Sequence, residues 1–289
     1  MDVAQRIEQD LEAAFVRSAA DDGPSGLYES MRYSVFPGGA RVRPRLCLAV
    51  ARACGDQSLV AAGAAATAIE LLHCASLVHD DLPCFDDADT RRGKPSVHTA
   101  FGQPLAVLAG DALIILAFET LALRLALLPD RLIPLMRVIA SSVGAPHGII
   151  AGQAWECEPV LDIVQYQRAK TGALFAACTM AGAAAAGQEA GPWQQLGYAI
   201  GEAFQVADDI RDVTCSCSEV GKPTGRDAAL ARPSMVAELG LEGAKQRFES
   251  LIAEALAAIP ACPGSEQLCV QITAVSRSLV TEIGALRAA

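Results

Sequence analysis

The sequence has few aromatic side chains and no long stretch in which β-branched and polar residues alternate. Aromatics are 5% of its 289 residues, and this scarcity argues against a fold dominated by β-strands. Alanine runs take their place, at 61–66 and 183–186. Alanine loses no side-chain entropy in a helix. We therefore expect an all-α fold, organised as one helical bundle domain over residues 1–289.

Basic residues are also in short supply. The chain has 23 Lys and Arg against 33 Asp and Glu, which gives a net charge of -10. A nucleic-acid surface needs a basic patch that neutralises phosphates. We therefore expect no nucleic-acid partner, although a local group of cations or a metal ion can still bind a small anionic substrate.

No uninterrupted apolar run reaches the roughly 18 residues that suggest a membrane span. The N-terminal residues lack the basic start and apolar core of a signal peptide. Ten cysteines are present but scattered, and Cys215 and Cys217 do not have a usual zinc spacing. Reduced thiols, a cytoplasmic location and no membrane span are the resulting expectations.

Apolar residues recur at helical spacing along most of the chain, with short polar joins. The first example is Val3, Ile7, Leu11 and Phe15. Helices are predicted at 2–19, 27–34, 43–53, 58–79, 104–127, 130–142, 146–157, 162–186, 191–213, 227–238, 241–258 and 265–286.

An acidic segment directly follows the apolar helix predicted at 58–79. It reads HDDLPCFDDADTRRGKP and includes Asp80, Asp81 and Asp86. Packed carboxylates repel one another unless a cation lies among them. Magnesium suits this role because it takes oxygen ligands and is often shared with substrate phosphates. Arg91 and Arg92 add permanent charges that fit phosphate oxygens.

A second acidic segment, Asp208-Asp209-Ile210-Arg211-Asp212, continues another apolar helix. Asp208 and Asp212 are four residues apart and share one helix face. One acidic loop alone is often a solvated surface, and calcium binding is a second alternative. The spacing does not fit the calcium loop of a helical hand. Two acidic segments on two apolar helices favour a shared metal site.

With these two segments the sequence resembles the trans-prenyl diphosphate synthases, the farnesyl and geranylgeranyl diphosphate synthase family. Asp80, Asp81 and Asp86 with the following Arg91-Arg92-Gly93 resemble the first aspartate-rich motif of that family. Asp208 to Asp212 resemble its second motif. The resemblance runs from Gly38 to about Val236. It implies the isoprenoid synthase fold, a helical bundle around a deep central cavity.

The resemblance also implies roles for residues outside the two motifs. Arg43 and His73 match positions that hold isopentenyl diphosphate, together with Arg92. Lys170, Thr171 and Gln153 match positions near the allylic diphosphate. The remaining implied substrate-binding residues are Arg91, Gln205, Lys222 and Arg232.

Two residues depart from the family pattern. Ala40 stands where the family usually has lysine, and Arg232 stands where a lysine is common. The first change removes one cation from the isopentenyl diphosphate site. Arg41 and Lys94 are the two candidate replacements for it. The alanine pattern is most similar to bacterial geranylgeranyl diphosphate synthases of carotenoid and bacteriochlorophyll pathways.

The implied reaction is ionisation of an allylic diphosphate, condensation with isopentenyl diphosphate and loss of a proton. Up to three Mg²⁺ ions, for which Mn²⁺ can substitute, are expected on Asp80, Asp81, Asp86, Asp208 and Asp212. These ions would neutralise the departing diphosphate. Asp209 and Lys170 are expected to be catalytic with these five aspartates.

Small residues on the helix before Asp80 bear on product length. Ser76 and Ala75 lie about 6 to 7.5 Å deeper than Asp80 at 1.5 Å per residue. The resemblance implies that a bulky aromatic at this depth stops growth at fifteen carbons. The absence of such an aromatic predicts geranylgeranyl diphosphate, with twenty carbons, as the product. Leu72 and Ile69 are then expected to close the bottom of the tail pocket. Farnesyl diphosphate or a longer product is the alternative of the same class.

An alternative of another class is a non-catalytic subunit that regulates a prenyl synthase. Ala40 is the feature that favours it, while two intact aspartate motifs disfavour it. A terpene cyclase would lack the paired basic elements around Arg43, His73, Arg91 and Arg92. The family resemblance further implies a homodimer.

Overall fold

The computed structural model describes residues 2–16, 23–36, 39–160, 162–214 and 234–284. Within these ranges the side chains of Val164 and of residues 277–284 are left aside. The predicted site residues Lys222 and Arg232 lie outside the described residues, as does most of the helix predicted at 227–238.

The described chain is almost entirely helical, as predicted. The α-helices are α1 (Val3–Val16), α2 (Ser25–Val35), α3 (Val42–Ala53), α4 (Val60–Asp80), α5 (Val97–Phe101), α6 (Gln103–Arg124), α7 (Pro129–Val143), α8 (Ile149–Ala154), α9 (Ile163–Gln167), α10 (Ala173–Ala185), α11 (Gln194–Thr214), α12 (Met235–Ala257) and α13 (Ser265–Gly284). Two 3-10 turns lie at Trp155–Cys157 and Gly191–Trp193, and a π-helical turn lies at Arg168–Gly172.

Helix α4 is the central element of the bundle. Its residues are buried almost without interruption from Ala61 to Leu72, and it packs against α3, α6 and α10. Small side chains allow this close approach, since alanine adds little bulk between helix axes. The helix ends at Asp80, so a largely buried helix positions the first acidic segment.

A short β-hairpin follows α4 where the sequence predicts a polar loop. Strands β1 (Thr90–Arg91) and β2 (Lys94–Pro95) pair in antiparallel register. Arg92 and Gly93 form the turn and both have positive φ, at 54° and 75°. Two such residues in succession are the signature of a two-residue hairpin with a right-handed twist. The hairpin therefore holds Arg91 and Arg92 in fixed, different directions.

Helix α12 runs across Gly240, whose φ of 71° and ψ of 170° are not helical. The sequence-based boundary between helices at 238 and 241 corresponds to this kink. The stretch predicted as one helix at 162–186 is continuous, but it contains the π-helical turn at Arg168–Gly172. The helix predicted at 146–157 ends as a 3-10 turn.

Two helices are long and apolar enough to cross a membrane by length and composition. In α4 the relevant window is 78% buried within the fold, and in α6 it is 44% buried. A core helix of a globular protein meets the same criterion, and the burial of α4 is of this kind. The expectation that the chain has no membrane span stays a prediction for α6.

A buried ion pair joins the start of α3 to α4. Arg41 is buried, and its NH1 donates to Glu70 at 2.7 Å while its Nε donates to Glu8 at 2.8 Å. A third N–H group donates to the Val35 carbonyl. Arg41 also has a positive φ of 51°. The guanidinium is fully engaged inside the protein, so Arg41 supplies no free charge in place of the family lysine at Ala40.

We expect Arg41→Met to lower the free energy of unfolding by about 3 kcal/mol, because it leaves Glu70 buried without its cation. The measurement is urea unfolding at fixed protein concentration. The double variant Arg41→Met with Glu70→Leu should recover much of the loss, since it leaves no buried charge. Equal destabilisation by both variants would contradict this account.

Candidate active site

Two cations lie against the two aspartates that end α4. Arg91 from the hairpin donates through Nε and a terminal nitrogen to the Asp81 carboxylate. Lys170 from the π-helical turn donates to Asp80 Oδ1 at 3.3 Å, and Arg91 lies 3.9 Å from Asp80 Oδ2. Burial raises the pKa of Asp80 and of Asp81, and the two cations oppose that rise.

The turn after α4 brings a third carboxylate to the same place. The Asp86 amide donates to the Asp80 carbonyl at 2.9 Å, which closes the turn. The charge of Asp86 raises the pKa of both Asp80 and Asp81. The structure therefore brings together the three aspartates that the sequence predicts for the first segment. Asp81 differs from the other two because its carboxylate is buried and committed to Arg91.

The second acidic segment ends α11. Asp208 accepts a hydrogen bond from Arg211 at 2.9 Å, and its side chain is 28% exposed. Asp212, one turn further on, is half-buried. These two residues share a helix face, as their spacing predicts.

Asp209 has a different role from its neighbour Asp208. Its carboxylate is buried, accepts from Gln205 at 3.0 Å and accepts from the Met235 amide at 2.7 Å. The Met235 amide is the first N–H of α12 and has no partner within that helix. The geometry gives Asp209 a structural role at the start of α12, and its catalytic role stays a prediction.

The π-helical turn connects the two acidic segments. Lys170 contacts Asp80, and the next residue, Thr171, donates to Gln205 Oε1 at 3.2 Å. Gln205 in turn binds Asp209. A π turn adds one residue to a helical turn and is frequent at functional sites. Here it lets two adjacent side chains reach different acidic segments.

A second group of cations lies between α3, α4 and the hairpin. Arg43 on α3 contacts His73 on α4 at 3.3 Å. The guanidinium also lies 4.5 Å from the centre of the Phe175 ring and 5.9 Å from that of Phe204. Aromatic faces attract cations without neutralising them. The Nε of Arg43 is buried and has no hydrogen-bond partner among the described residues.

His73 is held in the neutral form. Burial and the charge of Arg43 lower its pKa well below the usual value, and Arg92 adds to the effect. Arginine can only donate, so His73 Nε2 accepts the hydrogen bond from Arg43 and the ring proton is on Nδ1. Burial lowers the pKa of Arg43 as well, yet its guanidinium remains protonated because the ordinary pKa of arginine lies far above neutral pH.

Arg92 and Lys94 extend this cationic group. A Cβ at Gly39 would lie 3.1 Å from Arg92 Nε, so Arg92 crosses directly over the Gly39 backbone. Lys94 donates to the carbonyls of Tyr33 and Phe36 at 2.7 and 3.0 Å. Both side chains line one groove. Burial and the charge of Arg92 lower the pKa of Lys94, as expected for two cations placed close together.

The residues predicted to line the tail pocket lie on α4. Leu72 and Ala75 are buried, with 1% exposure each, and Ile69 is fully buried. Ser76 is half-buried and donates to the His73 carbonyl at 2.8 Å. No aromatic side chain occupies the two positions at which one would shorten the product. The chain-length assignment stays a prediction.

Sequence reasoning missed several residues of the site. Glu156 binds Lys170 at 2.5 Å and lies near Gln153, which was placed here by resemblance. Phe175 and Phe204 support Arg43. A lone glutamate and two apolar aromatics carry no local signal for a site. Their contribution depends on contacts between distant helices.

The candidate metal ligands are all carboxylates, which suits magnesium. Among the described residues, no three His, Cys, Asp or Glu side chains converge closely enough to hold an ion by themselves. Magnesium commonly keeps several waters and binds one or two carboxylates together with substrate phosphates. Asp80, Asp86, Asp208 and Asp212 are half-buried and suit this open arrangement, whereas Asp81 is buried against Arg91 and its role as a ligand stays a prediction.

Comparison with known proteins gives consistent matches over nearly the whole chain. The family model for polyprenyl synthetase matches residues 24–272. A geranylgeranyl diphosphate synthase from Cereibacter sphaeroides is 52% identical over 276 residues, which is 96% of each chain. One from Rhodobacter capsulatus is 51% identical over 272 residues, which is 94% of each chain.

Solved structures agree with the sequence matches. A geranyltransferase from Helicobacter pylori, complexed with magnesium and isoprenyl diphosphate, aligns with a TM-score of 0.80 at 31% identity. The alignment covers 94% of this chain and 95% of that chain. The similarity therefore extends to the whole arrangement of helices.

We expect the ring of His73 to stay neutral, with its proton on Nδ1, from pH 8 down to pH 5.5. The depressed pKa and the hydrogen bond from Arg43 are the reasons. The chain has 4 histidines, so nitrogen-15 NMR of the imidazole rings can follow each one. The signals lost in His73→Gln identify this residue. Titration of those signals near pH 6.5 would contradict the assignment.

Proposed function

Because this chain belongs to the polyprenyl synthetase family, we propose that it condenses isopentenyl diphosphate with an allylic diphosphate to give geranylgeranyl diphosphate. The allylic substrates are dimethylallyl, geranyl and farnesyl diphosphate. The relatives that share about half of its residues over nearly their whole length are geranylgeranyl diphosphate synthases.

The observation that carries this proposal is the presence of two cationic groups of different kinds. Lys170 and Arg91 lie against carboxylates. Arg43, Arg92 and Lys94 lie together with neutral His73. A diphosphate bound at the first group lies beside Asp80 and Asp81. Metal ions would be needed there to offset the repulsion between the phosphate and carboxylate charges. A diphosphate bound at the second would meet Arg43, Arg92 and Lys94 together with the neutral ring of His73. A reaction between two substrates that each carry a diphosphate would use one cationic group for each diphosphate.

The acidic side is suited to ionisation of the allylic substrate. We propose that Asp80, Asp86, Asp208 and Asp212 would hold Mg²⁺, with up to three ions and with Mn²⁺ as a substitute. The bound ions would supply positive charge to the leaving diphosphate. Lys170 adds a charge fixed beside Asp80. A preorganised cation stabilises the leaving oxygen without reorganisation at the moment of bond cleavage.

The basic side is suited to holding the nucleophile. Arg43, His73 and Arg92 bind the isopentenyl diphosphate, whose double bond then attacks the allylic cation. The C–O bond breaks with its electron pair on the leaving diphosphate. The π electrons of isopentenyl diphosphate form the new C–C bond, and a proton passes to the departed diphosphate as base. Water must be excluded, since it would quench the cation.

Lys94 is the replacement for the missing lysine at Ala40. Arg41 is occupied by Glu70 and Glu8, which leaves Lys94 as the cation on the Arg92 side. Two of its three ammonium protons bind carbonyls, and its nitrogen lies 4.0 Å from the centre of the Tyr33 ring. We propose that the third proton binds a phosphate oxygen.

Lys94→Met should raise the KM for isopentenyl diphosphate about tenfold, the effect of losing one charge-assisted hydrogen bond. The KM for the allylic diphosphate should stay unchanged. Steady-state kinetics with each substrate varied in turn provide the measurement, and Lys94→Arg is the control that keeps the charge. An unchanged KM for isopentenyl diphosphate would remove Lys94 from the site.

Product length is the direct test of the proposed function. The purified protein would receive Mg²⁺, isopentenyl diphosphate and each allylic primer, and the product alcohols would be resolved after phosphatase treatment. We expect twenty carbons, and we expect Ala75→Tyr to shift the product to fifteen. A fifteen-carbon product from the unaltered chain would make it a farnesyl diphosphate synthase. No product from any primer would support the regulatory-subunit alternative.

We also propose that the chain forms a homodimer through the outer face of α6. Val107, Leu108, Ile115 and Leu123 are 41%, 51%, 68% and 50% exposed on this helix. Exposed Asp111 and Glu119 lie among them. Exposed apolar side chains favour an interaction surface, and a second copy can present the same face in a two-fold arrangement. A cytoplasmic location is proposed as well, because all the described cysteines are free.

Ile115→Glu should convert the dimer to a monomer in sedimentation equilibrium, because it buries a charge in the proposed interface. Glu249→Gln, at an exposed position of α12, is the control and should leave the dimer intact. A monomer from the unaltered chain, with α6 protected by lipid vesicles instead, would point to a membrane surface and overturn the proposal.

A further inference from the structure

Lys170 has a second carboxylate partner that belongs to neither acidic segment. Its Nζ lies 2.5 Å from Glu156 Oε1 and 3.3 Å from Asp80 Oδ1. Glu156 is on the 3-10 turn Trp155–Cys157, which follows α8. The lysine therefore bridges two carboxylates from different parts of the chain, and one of them is unrelated to the predicted metal ligands.

Glu156 is itself fixed by two neutral donors. Tyr166 donates its hydroxyl to Oε1 at 2.7 Å, and Gln153 donates its amide to Oε2 at 3.1 Å. Both carboxylate oxygens are thus engaged. The Nζ of Lys170 also lies 5.6 Å from the centre of the Tyr166 ring. Glu156 and Tyr166 thus contact Lys170 directly, and Gln153 contacts it only through Glu156.

The backbone fixes the distance between these elements. A Cβ at Gly152 would lie 2.4 Å from the Lys170 amide nitrogen. Only glycine allows α8 to approach the π-helical turn this closely, because any side chain there would meet backbone atoms. Glu156 is therefore held at a set distance from Lys170 by main-chain packing as well as by hydrogen bonds.

This pairing differs from an ordinary surface salt bridge. The side chains of Lys170 and Glu156 are only 23% and 21% exposed. An exposed pair contributes little because solvent screens it and ordering the side chains costs entropy. Holding a lysine side chain in one rotamer costs conformational entropy. Here the cost is met during folding, so it does not have to be met when substrate binds.

We propose that Glu156 is a positioning residue for Lys170. It holds the ammonium group beside Asp80, where the leaving diphosphate gains negative charge, and it acts on the reaction only through that lysine. The proposal rests on the function proposed above. It concerns a carboxylate that the acidic segments do not include.

The test is a double-mutant cycle between Glu156→Gln and Lys170→Met. Glu156→Gln keeps the shape of the side chain but loses its charge. We expect kcat to fall about tenfold, equivalent to about 1.4 kcal/mol of transition-state stabilisation. The KM for the allylic diphosphate should not rise, because the variant removes one negative charge near the site of an anionic substrate. The KM for isopentenyl diphosphate should stay constant.

In the Lys170→Met background, Glu156→Gln should change kcat less than twofold, since its partner is already absent. Glu158→Gln is the matched control, an exposed acid two residues further along, and should behave as the unaltered enzyme. Binding of an unreactive allylic thiodiphosphate, measured by calorimetry, gives a readout that does not depend on turnover. Its affinity should be retained or increased in Glu156→Gln.

Fully additive effects in the cycle would overturn the proposal, because Glu156 would then act without Lys170. A raised Mg²⁺ requirement in Glu156→Gln would overturn it too, by making Glu156 a metal ligand. Tyr166→Phe removes one hydrogen bond to Glu156 and should also lower kcat, but by less than Glu156→Gln does. If Glu156→Gln does not fold, Tyr166→Phe replaces it in the cycle. No turnover by the unaltered enzyme would instead refute the proposed function.

Discussion

The structure depends on how it keeps several carboxylates close together and ionised. Like charges at short range raise one another's pKa, and burial raises it further. Here each buried acid at the end of α4 has its own cation, Arg91 for Asp81 and Lys170 for Asp80. The hairpin and the π-helical turn are the elements that deliver these cations. The hairpin and the π-helical turn therefore both supply positive charge to the carboxylates at the end of α4.

The cations on the other side are stabilised by different means. Arg43 lies on aromatic rings and against a neutral histidine, so its charge is supported but not neutralised. Acids would have made this site more stable in the empty protein, at the expense of affinity for an anion. The protein thus uses carboxylates where a metal is expected and aromatic rings where it is not, and the two diphosphates meet chemically distinct surroundings.

The sequence predicts the helices and the acidic segments well because both depend on local pattern. Alanine-rich, apolar stretches and clustered aspartates are visible without any tertiary contact. The hairpin was missed because its strands are two residues long, although the Arg92-Gly93 pair was a usable turn signal. Asp208 and Asp209 are indistinguishable in sequence, and only the position of α12 separates their roles. Glu156 depends on packing between α8 and the π-helical turn, which no local pattern encodes.

The left-handed backbone of Arg92 has a consequence for protein engineering. A residue with a side chain at φ of 54° is strained by roughly 1 to 2 kcal/mol relative to a right-handed one. Glycine would relieve that strain at the hairpin turn, so a search for stabilising substitutions would select this position early. The same substitution would remove the guanidinium that crosses Gly39. Selection for heat resistance alone would therefore tend to erode substrate binding here, where stability and activity make opposite demands on one residue.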